Sequence, residues 1–342
     1  MEDPMVSVII PNYNYARSLG LSIRSAQEQD YPNMEIIVVD DCSTDGSEAI
    51  ARSLGVTVLS TGTNSGVAVA RNTGAAHASG QILFFLDSDV ALRPGAVAAA
   101  VELLRDEPGI GAVCGMYEPE PLIRDSLVEE CRCLQAYYWR TSSEGTVSFL
   151  ISAMCAMRVE VFEAVGPFNP NLRQTEEVDY GQRLTQKYDL LLTPAIRGSH
   201  DDDSELVPLI RKIFTRGRLR VPLYAQRRKF AKGFETASRS WASLASLLGV
   251  VSLAAPAVLG PVAWAVPVLL FAAVIGLDFG MYRFVAGRRG PLFLLGFIGV
   301  QLVFNLTVAV GVAFGAAHWL LSPAFRRLYV RESAPSSPAA AL

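Results

Sequence analysis

Apolar residues follow two different patterns along this chain, and the change falls near residue 240. Before it, short continuous apolar runs such as EIIVV and ILFFL alternate with stretches of helical periodicity. Runs of this kind are typical of strands covered on both faces, and their alternation with helices predicts βαβ units and a mostly parallel sheet. The predicted strands are residues 6–11, 35–40, 56–60, 82–86 and 112–116, and the predicted helices are residues 16–29, 67–77, 95–107 and one from about residue 47.

Beyond residue 240 the apolar residues form runs long enough to cross a membrane. Residues 241–277 contain no charged side chain, and residues 291–325 contain His318 as their one ionisable group. A helix needs about 20 apolar residues to cross the hydrocarbon core, and Gly260 offers a hinge inside the first run. The predicted spans are residues 241–260, 262–280 and 292–321.

The basic residues between the apolar runs predict the orientation in the membrane. Residues 283–289 are basic, and the positive-inside rule puts them in the cytoplasm. A third span would leave the basic residues 326–331 on the far side, so the last run crosses against the rule, lies in the interface or turns back. The first residues have no basic region followed by an apolar stretch, which favours a cytoplasmic N-terminal domain. We therefore expect a multi-pass protein of the cell (inner) membrane.

Composition excludes several classes of protein. A net charge of −3 gives no reason to expect nucleic acid, and five cysteines without a Cys-x-x-Cys pair argue against a disulfide framework or a zinc site. Residues 206–234, in contrast, contain nine basic residues and no acidic one, which is typical of an amphipathic segment on an anionic membrane. The predicted division is a soluble α/β domain at 1–205, a basic interfacial segment at 206–240, a transmembrane region at 241–325 and a basic, then disordered tail at 326–342.

Carboxylates collect where two of the predicted strands end. Asp40 and Asp41 end the second strand, and Asp87 and Asp89 follow the run ILFFL. In an extended chain residues i and i+2 point to the same side, so Asp87 and Asp89 can both address one cation. Mg²⁺ or Mn²⁺ take such oxygen ligands and leave positions for phosphate oxygens. The alternative is that these residues cap the helices that follow.

Four ordered blocks resemble those of a family 2 glycosyltransferase of the GT-A fold. They are VSVIIPNYNYARSL, EIIVVDDCSTDGS, NSGVAVARNTGAAHASGQILFFLDSDV and VFEAVGPFNPNLRQTEEVDYGQRL, and they cover roughly residues 6–184. Other nucleotide-binding folds are disfavoured, because neither G-x-G-x-x-G after the first strand nor G-x-x-x-x-G-K-[ST] occurs. The resemblance implies a Rossmann-like GT-A domain with a mostly parallel sheet, followed by a C-terminal transmembrane helical region.

The resemblance also assigns residues to the nucleotide of the donor. Pro11, Asn12 and Tyr13 match the positions that cradle the nucleoside, where the Tyr13 ring offers a face for a base. Asp41, next to Asp40, matches the carboxylate that reads uracil in relatives with uridine donors. Asp40 could equally cap the turn that follows it.

Four further residues match the diphosphate and metal positions. Arg71 matches the arginine that approaches the diphosphate, although it could instead form a surface salt bridge. Asp87 and Asp89 match the motif that binds ribose and the divalent metal, Mg²⁺ or Mn²⁺. His200 matches a histidine that some relatives place near this metal, and the alternative is a solvated loop residue.

The general base is expected in TEEVDYGQRL. The family's usual Gly-Glu-Asp-x-Asp places its acids on Glu176, Glu177 and Asp179, with Thr175 where glycine is usual. Glu177 falls on the base position, and Glu176 is the alternative for that role. The alternative to a catalytic role is that these acids are in the first turn of a helix because the helix dipole favours negative charge there. A single in-line displacement would invert the anomeric centre, and no covalent nucleophile is evident.

The acceptor side is predicted less specifically. Arginines of the basic segment could bind the diphosphate of a lipid-linked acceptor or could simply hold the protein to membrane lipids. The residues considered for the acceptor side are Asp179, Arg216, Arg218, Arg227 and Arg228.

These assignments predict an inverting, metal-dependent glycosyltransferase. It uses a nucleotide-sugar donor, UDP-linked by the match of Asp41, and a lipid-linked or membrane-proximal acceptor hydroxyl in envelope glycan synthesis. One alternative is a polyprenyl-phosphate glycosyltransferase, whose ionised acceptor needs no base. Another is a nucleotide-sugar-binding module of a membrane assembly complex that has lost its chemistry. The number of subunits is left open.

Overall fold

The computed structural model describes residues 3–227 and 237–329. Its centre is a sheet of nine strands. Five of them are the predicted apolar runs, and the other four were not indicated by the sequence. The strands are β1 (Val6–Asn12), β2 (Met34–Asp40), β3 (Thr57–Ser60), β4 (Ile82–Leu86), β5 (Val90–Leu92), β6 (Ile110–Tyr117), β7 (Gly145–Val147), β8 (Met154–Arg158) and β9 (Asp189–His200).

The strand order is β3-β2-β1-β4-β8-β6-β9-β5, with β7 paired to β9. The first four strands pair in parallel, as predicted. In the other half β8 runs antiparallel to β4 and β6, and β5 and β7 run antiparallel to β9. The sheet is therefore mixed rather than mostly parallel. Antiparallel neighbours need no crossover helix, and the alternation of strands and helices that predicted a parallel sheet weakens after β6.

Helices cover both faces of the sheet and then continue into the C-terminal part. The helices of the sheet domain are α1 (Leu19–Gln27), α2 (Ser47–Ser53), α3 (Val67–His77), α4 (Ala96–Asp106), α5 (Leu127–Thr141), α6 (Val159–Val165) and α7 (Glu176–Leu184). The later helices are α8 (Leu206–Arg227), α9 (Ala237–Ser252), α10 (Ala255–Leu259), α11 (Ala265–Leu277), α12 (Phe279–Arg289), α13 (Pro291–Leu321) and α14 (Pro323–Arg326).

The continuous apolar runs form strands because each strand has a core on both sides. Along β4, Phe84 packs into the core cluster beneath α1 and α4, while Phe85 packs into the opposite cluster with Phe168 and Tyr180. Every residue of β1 and β4 is buried. This two-sided burial holds the carboxyl ends of the strands in fixed positions.

Helices α8 and α13 pack very closely, because glycines face the contact. A Cβ on Gly311 would lie 2.7 Å from the carbonyl oxygen of Phe214, and one on Gly315 would lie 2.7 Å from that of Arg218. The N-terminal half of α13 contacts α5, where the Gln135 and Gln301 amides are 2.6 Å apart. Helix α13 thus lies along the sheet domain and α8 over much of its length.

The C-terminal apolar residues are divided differently from the three predicted spans. Within the described residues, α13 has the length and composition of a membrane-crossing helix. Residues 261–289 have that composition together, but their two helices are bent by 75°. The first predicted span, 241–260, is split between α9 and α10, with Pro256 in the second of them. By length and composition the described residues offer one such helix, or two if the bent pair counts, and the number of crossings stays a prediction.

The residues after α13 return to the sheet domain. Tyr329 is buried, and its hydroxyl lies 2.7 Å from Thr175 Oγ1, next to α7. The basic start of the predicted tail, residues 326–329, is thus in contact with the sheet domain, which the sequence could not show because the partners are 154 residues apart. Residues 330–342 lie outside the described residues, as do residues 228–236 of the basic segment, including Arg228.

Replacing Gly311 by alanine should destabilise the protein, because the added methyl group meets the backbone of α8 rather than a side chain that can move. Overpacking of this kind costs about 1–3 kcal/mol. The measurement is the thermal midpoint of the detergent-purified full chain. Gly299→Ala, on the same helix with nothing within 4 Å of the added Cβ, is the matched control and should leave the midpoint unchanged or raise it. Equal midpoints for the two variants would contradict the close packing of α8 on α13.

Candidate functional site

The site residues converge at the carboxyl ends of β1, β2 and β4. Asn12 and Asp40 are the last residues of their strands, and Asp87 follows β4 directly. In the parallel part of the sheet these ends lie at one edge, where open α/β sheets bind ligands. Tyr13 continues from β1 and is 44% exposed, so its ring is accessible at this edge, whereas Pro11 is buried.

Asp40 has the contacts of a structural residue. Its carboxylate accepts hydrogen bonds from Asn12 Nδ2 at 2.8 Å, from the Ser43 backbone at 2.9 Å and from the Ser43 hydroxyl at 2.6 Å. It is 1% exposed. Of the two roles that the sequence left open for Asp40, capping of the following turn is the one that these contacts fit.

Asp41 holds the loop that leads into α3. Its carboxylate accepts hydrogen bonds from the Thr61 hydroxyl at 2.6 Å and from the backbone of Ser65 at 2.8 Å and Gly66 at 2.7 Å. Gly66 directly precedes α3, so Asp41 fixes the start of the helix on which Arg71 lies. Contact of Asp41 with a nucleobase stays a prediction.

Arg71 joins the two halves of the site. Its guanidinium donates to Asp87 Oδ1 at 2.8 Å and to Glu176 Oε1 at 3.0 Å, and it lies 5.5 Å from the centre of the Phe168 ring. Arg71 is 2% exposed, so the alternative of a surface salt bridge is wrong. Burial by itself would lower the pKa of Arg71, but the carboxylates of Asp87 and Glu176 raise it, and the group stays charged.

Asp89 and His200 form the side of the site that fits a cation. Asp89 Oδ2 lies 3.5 Å from His200 Nε2, while Asp89 Oδ1 is buried and has no hydrogen-bond partner within residues 3–227 and 237–329. Asp87, two residues earlier, is half-buried. An orphaned carboxylate oxygen beside a second carboxylate fits a divalent ion such as Mg²⁺ or Mn²⁺.

His200 is held from behind by residues that the sequence did not indicate. Its ring stacks on Tyr117 with centroids 4.4 Å apart, and its Nδ1 lies 3.5 Å from Asp202, which faces Arg132 at 3.6 Å. Burial would lower the pKa of His200, but Asp89 and Asp202 outweigh it and raise this pKa to about 10. His200 is thus a half-buried, ion-paired residue at the end of β9, and the alternative of a solvated loop histidine is wrong.

A polar cavity of about 340 Å³ opens beside Asp89 and His200. Arg17 and Lys212 are the cations that line it among the described residues, and Tyr15 lies against Asp89, which raises the pKa of the Tyr15 hydroxyl. Arg216 and Arg218 lie further along α8 and do not line this described cavity. Of Arg227 the structure describes only its place as the last residue of α8. No sequence pattern indicated a functional role for Tyr15 or Arg17. For Lys212 the signal was its place in the basic segment.

The first turn of α7 presents two different glutamates to the site. Glu176 is 4% exposed, and its Oε2 has no hydrogen-bond partner in the described part of the chain. Burial, together with the neighbouring Glu177, raises the pKa of Glu176 to about 8 although Arg71 opposes the change. Glu177 is half-buried. Glu176 is therefore held by its hydrogen bond from Arg71, and Glu177 is the less buried of the two.

Asp179, the third acid of this turn, is bound to Arg183. Its carboxylate accepts a hydrogen bond from Arg183 at 2.9 Å, and Arg183 also donates to the carbonyls of Val165 and Pro167. These contacts tie α7 to the connection after α6. A second acidic group, Asp125, Glu129 and Asp201, has its ligand atoms within 4.8 Å of one another, and Arg17 pairs with Asp125 in that group.

Comparison with known proteins agrees with this geometry. The profile of the glycosyl transferase family 2 matches residues 7–166. The chain is 30% identical over 206 residues to glycosyltransferase AglE of Haloferax volcanii, which is 58% of this chain and 67% of AglE. It is 39% identical over 92 residues to WfgD of Escherichia coli, a UDP-Glc:α-D-GlcNAc-diphosphoundecaprenol β-1,3-glucosyltransferase, and these residues are 26% of this chain and 36% of WfgD.

The fold is similar to that of mannosyltransferase PcManGT from Pyrobaculum calidifontis, solved in complex with GDP-Man and Mn²⁺. The TM-score is 0.58 at 20% identity, over 92% of this chain and 88% of PcManGT. Of three further curated glycosyltransferases that it matches, the chain covers 36% to 63% of the length. The GT-A sheet, the site at its carboxyl edge and the match to two thirds of AglE lead to one conclusion: the chain belongs to glycosyltransferase family 2.

Proposed function

We propose that this chain is an inverting, metal-dependent glycosyltransferase of envelope glycan synthesis. It transfers a sugar from a nucleotide-diphosphate sugar, UDP-linked by the match of Asp41, to a hydroxyl of a lipid-linked acceptor. The observation that best supports this is the pairing of Arg71 with Asp87 on one side and Glu176 on the other. It brings the donor residues and the acidic helix to one edge of the sheet.

Asp89 and Asp87 would hold the divalent ion, with His200 beside them. When bound, such an ion offsets the negative charge that develops on the departing diphosphate. Arg71 is pre-positioned by two carboxylates and stays charged, so its guanidinium can orient the diphosphate without a change of rotamer. The floor of the site is buried, with Phe168 beneath Arg71, and this burial keeps water away from these contacts.

Glu177 is the better candidate for the general base. A base must have a free oxygen within reach of the acceptor hydroxyl, and Glu176 has one oxygen on Arg71 and both side-chain oxygens buried in the described structure. Glu177 is adjacent, half-buried and at the position that the family pattern assigns to the base. Glu176 then serves to hold Arg71, and Glu177 removes the proton.

Two cavities on α8 support a lipid-linked acceptor. Lys212 lines the polar cavity beside Asp89, and Ile210 and Phe214 line an apolar cavity of about 570 Å³ between α8 and α13. WfgD, by its name, uses a diphosphoundecaprenol-linked acceptor. An acceptor of that class has an anionic head and an apolar chain. The apolar cavity suits the chain, and the polar cavity, which five carboxylates line, suits the head once a divalent ion is bound there.

A polyprenyl-phosphate acceptor is the second candidate. Arg17 and Lys212 line the polar cavity together with five carboxylates, so a phosphate there would need a bound divalent ion as well. A phosphate oxygen is already ionised and needs no base. The experiment that separates the candidates is mass spectrometry of membrane lipids incubated with the enzyme, Mn²⁺ and a panel of nucleotide sugars. A hexose added to a lipid-linked glycan supports the main proposal, a hexosyl polyprenyl phosphate supports the second, and absence of any product would support a binding module.

The membrane position is proposed from the contacts of α13. The catalytic domain lies on the cytoplasmic face of the inner membrane, and the end of the chain lies on the same side. In support, the N-terminal half of α13 contacts α5, and Tyr329 beyond its C-terminal end contacts Thr175. The most exposed apolar residues of the C-terminal part include Val258, Leu259 and Val262, at the turn between α9 and α11, which suits insertion of that turn into lipid.

Glu177→Gln should lower kcat for a hydroxyl acceptor by about 10²- to 10⁴-fold, because the amide cannot take the proton. Calorimetric binding of the nucleoside diphosphate with Mn²⁺ should change by less than about twofold. Glu160→Gln makes the same change in the exposed first turn of α6 and should keep wild-type turnover. Near-full turnover of Glu177→Gln would remove this residue from the role. Full turnover of the variant with both Glu176 and Glu177 replaced by glutamine would favour the phosphate acceptor.

The stability of the protein should fall with rising pH because of Glu176. Its pKa is about 8 when folded and near 4.5 when unfolded, so the folded state keeps the proton that the unfolded state loses. The stabilisation is fully present below pH 4.5 and is lost as the pH rises through 8, by at most about 1.4 kcal/mol per pH unit. Denaturant midpoints from pH 5 to 8 should show this slope in the wild type and in Glu160→Gln but not in Glu176→Gln. Parallel slopes in all three would contradict it.

A tag added after Leu342 should be digested by protease in inverted membrane vesicles and protected in right-side-out spheroplasts, as is the catalytic domain. The physical reason is that Tyr329 cannot contact Thr175 across a bilayer. Val262→Cys, labelled with a fluorophore, should be quenched by a lipid-soluble quencher. Digestion of the tag in spheroplasts alone would instead place the end of the chain on the outer side.

A further inference from the structure

The residues that follow α13 form a strap against the catalytic domain. A cap formed by Ser322, whose hydroxyl accepts from the backbone of Phe325, begins the short helix α14, and the Phe325 ring stacks on His318 with centroids 4.0 Å apart. Four residues after Phe325, Tyr329 enters the same core cluster as Phe149 and Leu223 and is 8% exposed. The strap, residues 322–329, is thus folded onto the catalytic side.

The Tyr329 hydroxyl makes two hydrogen bonds whose directions are fixed by chemistry. It lies 2.9 Å from the carbonyl of Leu219 and 2.7 Å from the hydroxyl of Thr175. A carbonyl can only accept, so Tyr329 donates to Leu219 and accepts from Thr175. Thr175 is completely buried. One hydroxyl therefore joins the strap, α8 and the start of α7.

Thr175 occupies the N-cap position of α7 but does not cap it. In the described structure its side chain accepts no hydrogen bond from the helix backbone, which is the usual role of a threonine at this position. The start of α7 is held instead from outside, by Tyr329. Thr175 also stands where the family pattern has glycine, a residue that could not make this contact.

We infer that Tyr329 is a positioning residue that fixes the start of α7 and thereby aims the two glutamates that follow Thr175. Glu176 comes directly after Thr175 and pairs with Arg71, and Glu177 is the next residue. A rotation of this turn would move both carboxylates together. The inference rests on the proposed role of Glu177 as the base, and it links that role to the seating of the strap.

The test removes one oxygen atom. Tyr329→Phe keeps the ring in its apolar cluster and should lower kcat about tenfold or more, since small displacements of reacting groups have large effects on rate. The donor KM should change by less than about twofold, because Arg71, Asp87 and Asp89 are untouched. Thr175→Ser, which keeps the hydroxyl, should retain turnover, whereas Thr175→Val should match Tyr329→Phe. The double variant Tyr329→Phe/Thr175→Val should be no slower than Tyr329→Phe, because that single variant already removes the contact with Thr175.

Tyr31→Phe is the matched control. Tyr31 is also 8% exposed and also donates to a backbone carbonyl, that of Pro4 at 2.6 Å, but it lies away from α7. It should leave kcat unchanged. A loss of kcat in Tyr31→Phe as large as in Tyr329→Phe would overturn the inference, because it would reduce the effect to general stability.

Hydrogen–deuterium exchange supplies a readout that needs no activity. In the full chain, Tyr329→Phe should speed exchange of the amides in the first turn of α7 and leave those of α4 unchanged. Unchanged exchange in α7 together with unchanged kcat would overturn the inference while Glu177→Gln still tests the proposed function. Full turnover of Glu177→Gln with faster exchange in α7 would refute the base and leave the strap in place.

Discussion

The buried guanidinium of Arg71 is the interaction on which the rest of the site depends. Transfer of such a cation from water to a protein interior is strongly unfavourable unless opposite charges and hydrogen bonds compensate it. Asp87 and Glu176 supply that compensation from positions 16 and 105 residues away. Loss of either carboxylate would leave a buried charge underpaired, which typically destabilises a protein by about 3–5 kcal/mol. The ends of β4 and α7 are therefore held together by electrostatics as well as by apolar packing.

The same arrangement leaves negative charge in excess. Arg71 contacts both Asp87 and Glu176, and burial together with the neighbouring Glu177 keeps the pKa of Glu176 raised although it touches this cation. Asp89, two residues after Asp87, pairs with the His200 ring at 3.5 Å. It keeps one oxygen without a hydrogen-bond partner in the described chain. Asp202 balances His200 from behind. The surplus is thus directed toward the polar cavity, where a divalent cation would reduce it and would allow a diphosphate to bind.

The sequence predicted the parts of the structure that local patterns determine. Strands β1, β2 and β4 were predicted because their apolar runs are continuous, and they are continuous because both faces are buried. In β9 buried and exposed residues alternate and Pro194 interrupts the strand, so no continuous apolar run predicted it. Strand β8 is antiparallel to β4 and needs no crossover helix, so the helix pattern did not predict it either. The antiparallel pairings that make the sheet mixed all involve strands that the sequence did not predict.

The sequence predicted which residues lie at the site but not which of them contact one another. Asp40 and Asp41 are adjacent, yet one caps a turn three residues away and the other holds a loop 24 residues away, and spacing along the chain cannot separate the two. Burial of Arg71 and the stacking of His200 on Tyr117 are likewise products of tertiary packing. Helix α8 shows what such packing adds. Pro208 and Lys212 are four residues apart and line the polar cavity, while Ile210 and Phe214, also four apart, line the apolar one. Because residues four apart share one face of a helix, α8 separates the two cavities by a single helix diameter, and an acceptor with a charged head and an apolar chain would reach both only by lying across it.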